Sequence, residues 1–295
     1  MTQPVYLVIG ADGQVGSALV RRLRNAGESV FATTRRPGNV NNNCAYLDLL
    51  EPPDDWKCPC PASVAIVCAG IAKAQACKDD PLSTGKVNVQ GISDLVGNLV
   101  AAGAFVIFLS TNQVFDGVTR FQLPESPLAP MTEYGRQKSE VERRLAQCGD
   151  SVAIVRFAKI LGPNASLIPG WVQSLRSGRP VHPFFDMTMA PIPLSCAVTA
   201  LLLIGQLRLP GIFQVSGQED ISYAEVALIG ARTIGADSQL VEPVKAAECS
   251  SYTEFVPAYT TLNIDRLMET GGIVPPPVDW TIQTAFAKPH FLDRG

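Results

Sequence analysis

The chain has 295 residues, of which 46% are hydrophobic and 17% are charged, a composition that excludes wholesale disorder because it supplies enough apolar surface for a core. The formal net charge of −3 offers no basic surface for nucleic acid, and no apolar run reaches the roughly 20 residues of a membrane-spanning helix. We therefore expect a cytoplasmic protein of one large domain or two modest ones, with neither a membrane nor a nucleic-acid partner.

Short apolar runs alternate with longer helical patterns through the first two thirds of the chain, which is typical of a parallel sheet with crossover helices. The runs are apolar almost without interruption, as expected of strands that are covered on both faces. The predicted strands are Val5–Gly10, Ser29–Thr33, Ser63–Ala69, Ala104–Ser110 and Ser151–Phe157. The predicted helices are Val15–Asn25, Val87–Ala102, Tyr134–Gln147 and Ala197–Gln206. The sequence therefore predicts an α/β fold with a Rossmann-type doubly wound parallel sheet.

The last third of the chain is less regular. Ser222 and Glu225 form a capping-box pattern that predicts a helix. Asn263 is predicted to cap a short helix through Glu269. The proline-rich stretch 180–193 indicates a lid or cleft wall rather than regular structure.

The predicted elements indicate two domains that interleave. The run Gly211–Val215 is predicted to return as a buried strand to the first domain. We expect a nucleotide-binding domain over residues 1–160 plus about 196–217, and a smaller substrate-binding lobe over about 161–195 and 218–295. The sequence leaves a monomer and a homodimer both open.

The cysteines give no sign of a metal site. Eight cysteines, of which the last is Cys249, include no C-x-x-C pair, and only His182 and His290 could add imidazole ligands. We expect reduced thiols and no bound metal.

The first chemical motif is the glycine-rich segment Gly10-Ala11-Asp12-Gly13-Gln14-Val15-Gly16 between the first predicted strand and helix. Glycines in such a loop permit a tight turn, a close approach of the backbone to a pyrophosphate and close packing of the helix. The N-terminus of the helix then presents free N–H groups to the phosphates. The segment predicts a dinucleotide site, with a tight turn that binds no ligand as the alternative. The predicted cofactor-binding residues here are Gly10, Asp12, Gly13, Gln14 and Val15.

The end of the second strand distinguishes the two nicotinamide cofactors, because an acidic residue there binds a ribose 2′-hydroxyl whereas arginine accommodates a 2′-phosphate. Thr34, Arg35 and Arg36 stand at this point with no acid nearby. NADP(H) is therefore the favoured cofactor and NAD(H) remains possible, while two solvated charges in a turn are the alternative. Asp48, with Leu49 beside it, is predicted to contact the adenine, although Asp48 could equally be a loop carboxylate.

Tyr134 and Lys138 lie four residues apart at the start of a predicted helix, and therefore on one helix face about 6 Å apart along the axis. A lysine ammonium at this distance is expected to lower the pKa of the tyrosine from its usual value of ~10. The pair would then supply an acid able to protonate a developing alkoxide near neutral pH. The alternative is an ordinary surface helix with solvated charges.

Thr111 stands at the carboxyl end of a predicted buried strand, in the segment Ser110-Thr111-Asn112-Gln113. Ligands of open α/β sheets bind beyond the carboxyl ends of the strands, and a hydroxyl there can donate a hydrogen bond to a substrate carbonyl. Thr111 is therefore predicted to complete the site with Tyr134 and Lys138.

Taken together, these motifs resemble the extended short-chain dehydrogenase/reductases, and more narrowly the dTDP-4-dehydrorhamnose reductases and related nucleotide-sugar reductases and epimerases. The resemblance rests on the glycine loop, on the run from Ser110 to Gly117, on Tyr134-Gly135-Arg136-Gln137-Lys138 and on Pro257–Asn263. It covers most of the chain and is strongest up to about residue 165.

The resemblance implies an NADPH-dependent reduction of a keto group on a nucleotide-activated sugar, most closely a 4-keto-6-deoxy sugar. Tyr134 would donate the proton, Lys138 would hold the nicotinamide ribose, and Thr111 would polarise the carbonyl, with Ser110 as the fallback. The implied cofactor residues also include Cys68, Ala69 and Gly70, together with Tyr134 and Lys138. The implied substrate residues are Thr111, Gln113, Tyr134 and Lys159.

Two departures from the family pattern affect the substrate. Asn112 and Gln113 replace a usual Asp-Tyr pair at the expected sugar pocket, and Lys159 is an unusual charge that could contact a substrate phosphate or be solvated. Two alternatives to a reductase stay open. One is a nucleotide-sugar epimerase, and the other is a non-catalytic NADP-binding regulatory subunit that resembles the methionine adenosyltransferase β subunit.

Overall fold

The structure is a computed structural model, and it describes residues 4–50, 56–162, 167–248 and 255–287. Two residues considered above, Cys249 and His290, lie outside these ranges. The chain forms two compact units, one of residues 1–115, 127–157 and 198–214, and the other of residues 116–126, 158–197 and 215–295. The predicted role of the second unit in substrate binding stays a prediction.

The strands follow the apolar runs of the sequence. In chain order they are β1 (Val5–Ile9), β2 (Ser29–Thr34), β3 (Cys44–Tyr46), β4 (Val64–Val67), β5 (Phe105–Thr111), β6 (Val152–Phe157), β7 (Lys159–Leu161), β8 (Thr188–Met189), β9 (Pro191–Pro193), β10 (Gly211–Val215) and β11 (Ile221–Ser222). The helices are α1 (Gln14–Asn25), α2 (Ala74–Asp79), α3 (Pro81–Gly85), α4 (Ile92–Ala101), α5 (Glu133–Leu145), α6 (Leu167–Arg176), α7 (Leu194–Leu207), α8 (Tyr223–Thr233), α9 (Asp265–Gly271) and α10 (Val278–Ala287).

The first unit is built on a seven-stranded sheet with the order β10-β6-β5-β4-β1-β2-β3. Strands β1 to β6 pair in parallel, and β10 adds beside β6 as the sequence predicts. The order of the first six strands is that of the doubly wound dinucleotide-binding folds, in which the direction of strand addition reverses between β1 and β4. The predicted Rossmann-type α/β fold is confirmed.

The sheet is buried on both faces, which explains why its strands read as unbroken apolar runs. All residues of β4 and β6 are buried, and so are most residues of β5. Helices α4 and α5 pack their apolar sides on this sheet in one continuous core. The core fixes the carboxyl ends of the central strands, where the glycine loop and Thr111 stand.

The helix predicted over Val87–Ala102 is longer and less regular than expected. It begins at Pro81, where Asp80 accepts a hydrogen bond from the backbone N–H of Ser83, and continues from α3 through a π-helical segment, Lys86–Gly91, into α4. The prediction placed the start too late because the apolar pattern begins only after this polar first turn.

The second unit contains two small sheets of two strands each, together with helices. The stretch 180–193 is partly regular, which corrects the prediction, because it contains β8, paired with β11, and β9, paired in parallel with β7. Helix α8 begins with the predicted capping box of Ser222 and Glu225. Helix α9 begins one residue later than predicted, at Asp265, although the side-chain oxygen of Asn263 does accept a hydrogen bond from its backbone N–H.

The described residues carry three further findings. The seven cysteines among them are free thiols. No group of three or more His, Cys, Asp or Glu residues within the described ranges is placed to hold a metal ion. No helix in this part of the chain has both the length and the apolar character to cross a bilayer.

Candidate active site

The glycine loop leaves open space at the N-terminus of α1. Gly16 is required by packing, because a Cβ atom there would collide with the carbonyl oxygen of Gly10. Gly13 is under no such demand, since its φ is −78° and a Cβ there would meet only the carbonyl oxygen of Gly10, at an ordinary 3.5 Å. No side chain of the described residues caps this helix. The backbone N–H groups at its start therefore lack a side-chain cap, as expected of a helix N-terminus that binds an anion.

A cleft of about 260 Å³ lies at the carboxyl ends of β1, β2 and β4. Among the predicted cofactor residues, those that line it are Gly10, Asp12, Gly13, Thr34, Arg35, Arg36, Leu49, Cys68, Ala69 and Gly70. Those that do not line it are Gln14, Val15, Asp48, Tyr134 and Lys138. No motif in the sequence pointed to the remaining lining residues, which are Ile9, Thr33, Leu47, Ile71 and Val87. The open glycine at a helix N-terminus and this cleft together fit a dinucleotide.

Arg35 and Arg36 follow β2 in a turn, here called the arginine turn, that is hydrogen-bonded to the glycine loop through Asp12. The hydroxyl of Thr34 donates a hydrogen bond to one carboxylate oxygen of Asp12, and Asn39 Nδ2 donates to the other at 2.8 Å. Thr34 Oγ1 also accepts a hydrogen bond from the backbone N–H of Arg36 at 2.9 Å. The side chains of Arg35 and Arg36 are exposed at the cleft and have no hydrogen bond or ion pair with any described residue. Their guanidinium groups are thus available to an anionic group.

Asp48 has a structural partner. Its Oδ1 atom accepts a hydrogen bond from the backbone N–H of Leu50 at 3.1 Å, which is the geometry of an Asx turn. Leu49 is buried and lines the cleft beside it. Of the two predicted adenine contacts, Leu49 lines the cleft, whereas the Asp48 side chain accepts a hydrogen bond within its own loop.

Thr111 is the last residue of β5 and caps the 3₁₀-helical turn Asn112–Val114. Its Oγ1 atom accepts a hydrogen bond from the backbone N–H of Gln113 at 3.2 Å and donates to Asn112 Oδ1 at 3.4 Å. Ser110 is not an equivalent alternative, because its hydroxyl is buried and donates to a carboxylate oxygen of Glu142. This contact corrects the fallback role considered for Ser110.

Helix α5 meets that turn through Gly135. A Cβ atom on Gly135 would collide with the carbonyl oxygen of Gln113, so only glycine permits this approach. Thr132 caps the helix by accepting a hydrogen bond from the backbone N–H of Gly135 at 3.0 Å, and its hydroxyl donates to Gln113 Oε1 at 3.0 Å. The packing brings Tyr134, which precedes this glycine, to the same edge of the sheet as Thr111. The predicted sugar contact of Gln113 stays a prediction.

Lys138 is only 4% exposed and lies beneath the end of β5. Its Nζ atom donates a hydrogen bond to the carbonyl oxygen of Leu109 at 2.8 Å and lies 4.4 Å from the centre of the Phe108 ring. Burial lowers the pKa of Lys138 to about 8, and Glu142 opposes this shift. The ammonium therefore still predominates at neutral pH.

The predicted effect of Lys138 on the pKa of Tyr134 is wrong for this structure. Tyr134 is 9% exposed, and its burial raises the pKa of the phenol above the ordinary value, with a further increase from Cys77. Lys138 Nζ lies 5.9 Å from the centre of the tyrosine ring and donates its hydrogen bond to Leu109 instead. The cost of desolvating a phenolate exceeds the attraction of the ammonium. Tyr134 is consequently a protonated phenol at neutral pH, as a proton donor must be.

Two buried amide side chains that the sequence analysis missed join the cleft to α5. Asn88 accepts a hydrogen bond from the backbone N–H of Ile71 at 2.7 Å and donates to its carbonyl oxygen at 2.9 Å. Asn88 Nδ2 also donates to Gln137 Oε1 at 2.8 Å. A polar residue inside the otherwise apolar helix face around Val87 was the available signal. Asn88 thereby fixes a cleft-lining residue, Ile71, against the helix that carries Tyr134 and Lys138.

Lys159 and the C-terminal motif belong to the second unit. Lys159 is the first residue of β7, in register with Pro191, and burial lowers the pKa of its ammonium. In the motif Pro257–Asn263, the hydroxyls and backbone N–H groups of Thr260 and Thr261 donate to the carboxylate of Asp220 at 2.6–3.2 Å. The predicted substrate contact of Lys159 stays a prediction.

A family model described as the RmlD substrate binding domain matches residues 5–290. The chain belongs to this family. The predicted resemblance to the extended short-chain dehydrogenase/reductases is thereby confirmed, and so is the predicted enzyme class, an oxidoreductase of that type.

Curated relatives of this RmlD-family chain include sugar reductases and a methionine adenosyltransferase subunit. The chain is 27% identical over 253 residues to a probable low-salt glycan biosynthesis reductase of Haloferax volcanii, covering 80% of this chain and 82% of that protein. It is 22% identical to a dTDP-4-dehydrorhamnose reductase of Aggregatibacter actinomycetemcomitans, covering 93% and 95%. It is also 24% identical to a methionine adenosyltransferase 2 subunit beta of Xenopus laevis, covering 81% and 74%.

Solved structures share the fold over nearly the whole chain. The dTDP-4-dehydrorhamnose reductase of Bacillus anthracis in complex with NADP has a TM-score of 0.84 at 17% identity and covers 97% of this chain and 98% of that one. MoeE5 in complex with UDP-glucose and NAD has a TM-score of 0.81 at 22% identity, with 96% and 97% covered. Both cofactors of the prediction, NADP and NAD, thus occur among these neighbours.

Proposed function

We propose that this chain is an NADPH-dependent reductase of a keto group on a nucleotide-activated sugar, with a 4-keto-6-deoxy sugar as the substrate. The observation that supports the proposal is the close approach of α5, which carries Tyr134, to the turn that Thr111 caps at the end of β5. Relatives named as sugar reductases support the choice of substrate class.

Each side chain has a separate task in this proposal. The hydride is the contribution of the bound nicotinamide. The Thr111 hydroxyl turns its proton from Asn112 Oδ1, 3.4 Å away, to the keto oxygen. Tyr134 gives its phenolic proton to the same oxygen as negative charge develops there. The raised pKa of Tyr134 keeps that proton in place at neutral pH. Lys138 orients the ribose beside the reacting groups and supplies positive charge next to the phenol.

The cofactor preference rests on the arginine turn. Arg35 and Arg36 are exposed at the cleft without a partner among the described residues, and Asp12 and Thr34 hold their turn. Guanidinium groups bind phosphate through planar, charge-assisted hydrogen bonds. This arrangement supports NADPH as the cofactor in use.

A non-catalytic regulatory subunit is the second candidate, and the similarity to a methionine adenosyltransferase 2 subunit beta favours it. Such a protein would bind the dinucleotide without turning over a sugar. The two candidates therefore differ in whether NADPH is consumed when a keto-sugar nucleotide is added.

We expect Tyr134→Phe to lower the turnover rate with dTDP-4-keto-6-deoxy sugars at least 100-fold, because general acid catalysis contributes roughly that factor. NADPH consumption, followed by absorbance, is the measurement. The matched control is Tyr46→Phe, which removes the hydroxyl of a 40% exposed tyrosine outside the cleft lining and should leave the rate unchanged. Parental turnover in Tyr134→Phe would overturn the role of this phenol, and no NADPH consumption by the parent protein with any such sugar would favour the regulatory subunit.

A further inference from the structure

Helix α5 carries a third buried ionisable residue that the proposed chemistry does not use. Glu142 is 4% exposed and lies one helical turn beyond Lys138, as Lys138 lies one turn beyond Tyr134. We infer that the carboxylate of Glu142, fixed in place by Arg156 and Ser110, is a positioning residue that keeps the buried Lys138 charged. The inference rests on the proposed function only for the use of that charge.

The carboxylate of Glu142 is held from two neighbouring strands. Arg156 on β6 donates from Nη2 to Oε2 at 2.7 Å and from Nε to both carboxylate oxygens at 3.1 Å. Ser110, its register partner on β5, donates a further hydrogen bond to Oε1. The guanidinium of Arg156 also lies 4.9 Å from the centre of the Phe115 ring. With four hydrogen bonds on two oxygens, the carboxylate cannot rotate away from α5.

A buried ion pair is a costly device if its only purpose is stability. Arg156 and Glu142 have side chains that are 2% and 3% exposed, and apolar residues of similar volume commonly stabilise such a site equally well or better. The pair therefore calls for another explanation, and the neighbouring ammonium supplies one.

Lys138 depends on nearby negative charge because its burial disfavours an ammonium. The Phe108 ring and the Leu109 carbonyl contact it, and Cys68 and Cys77 are the other titratable groups that act on it, along with Tyr134 on its own helix. Burial raises the pKa of Cys68 to about 12, so that this thiol carries no charge at neutral pH. Burial also holds Tyr134 in its neutral form. Glu142 is consequently the carboxylate that offsets the desolvation of Lys138, and it is the largest effect that raises the pKa of this lysine.

The ammonium matters to the proposed reaction because a neutral amine cannot stabilise the phenolate that Tyr134 becomes after it gives up its proton. The charge of Glu142 would thus act on the tyrosine through the lysine, over two turns of one helix. Arg156 has a geometric task, since its hydrogen bonds hold the Glu142 carboxylate in place.

The test is an NMR titration of the full chain labelled with ¹³C at lysine Cε, with the Lys138 signal identified by its loss in Lys138→Met. We expect Glu142→Gln to move the titration midpoint of Lys138 to lower pH by about one pH unit, because removal of a nearby opposite charge commonly shifts a pKa by this amount. The matched control is Glu140→Gln, which removes an exposed carboxylate from the same helix and should leave the midpoint in place.

Glu142→Gln alone leaves Arg156 buried without its partner and therefore destabilises the fold. The double variant Glu142→Gln/Arg156→Met removes both charges, so it should melt closer to the parent temperature while the midpoint of Lys138 stays low. A midpoint that is unchanged in both Glu142 variants, or that returns to the parent value in the double variant, would overturn the inference. The titration needs no substrate, so its outcome is independent of the proposed function. A shifted midpoint in a protein that reduces no keto sugar would contradict the proposed function and still support this inference.

Discussion

At the scale of single residues, the site depends on which groups burial keeps neutral and which it keeps charged. Tyr134 and Lys138 were predictable from their spacing, because four residues along a helix place two side chains on one face. The direction in which the pKa of Tyr134 shifts was not predictable, because the shift depends on burial by the surrounding protein rather than on the lysine four residues away. Ser110 illustrates the same limit, because its carboxylate partner stands 32 residues further along the chain.

The preference for NADPH is tested by removing the two arginines that follow β2. We expect Arg35→Ala/Arg36→Ala to weaken binding of NADPH by about 1–3 kcal/mol while NADH binding changes little, because only NADPH carries the 2′-phosphate. Calorimetric titration of both dinucleotides measures the difference.

The control for this experiment is Arg21→Ala/Arg22→Ala, which removes an equal charge from exposed positions of α1 outside the cleft lining. It should weaken neither cofactor selectively. If loss of Arg35 and Arg36 weakened the binding of NADPH and NADH equally, these arginines would not bind the 2′-phosphate.

At the scale of elements, the sequence predicted the strands of the central sheet well because burial on both faces leaves an unbroken apolar run. It missed α6 and α10, and the reason is visible in their sequences. Helix α6 carries Pro169 and Gly170 in its first turns, and α10 follows the proline run 275–277, so both look like turns. The short strand β9 was missed because it begins and ends with proline, and β8 was missed because it has only two residues.

The contact between α5 and the turn after β5 is tested by adding one methyl group at Gly135. We expect Gly135→Ala to lower the free energy of unfolding by about 1–3 kcal/mol, since the new Cβ would overlap the Gln113 carbonyl oxygen and overpacking costs this much. Turnover should fall as well, because Thr111 caps the displaced turn. Urea unfolding and steady-state rates are the measurements.

Gly97→Ala on the exposed side of α4 is the matched control, because a Cβ there meets no atom of the described residues within 4 Å. Alanine favours a helix over glycine, so this variant should be as stable as the parent or more so. If Gly135→Ala behaved like Gly97→Ala, the close approach of α5 to the turn would not hold the site together.

At the scale of the whole molecule, the fold and the family were predictable, whereas the substrate is a matter of positions that depart from the family pattern. The strand order, the glycine loop and the Tyr134–Lys138 pair agree with membership of the RmlD substrate binding domain family. Gln113 and Lys159 are the residues at these positions that we predict to contact the sugar. Gln113 helps to fix the start of α5, and Lys159 stands at the head of β7, so neither identifies a sugar by sequence alone.

Isotope labelling tests whether hydride passes to the keto carbon of a nucleotide-linked sugar with a proton from Tyr134. The protein is incubated with NADPH deuterated at the transferable C4 position and with a dTDP-4-keto-6-deoxy sugar, and the product is analysed by mass spectrometry and NMR. The proposed reduction predicts one deuterium at C4 of the product sugar, together with one NADP⁺ for each alcohol formed. An epimerised keto sugar without deuterium, or recovery of both compounds unchanged with every dTDP-4-keto-6-deoxy sugar tried, would contradict the proposed reduction.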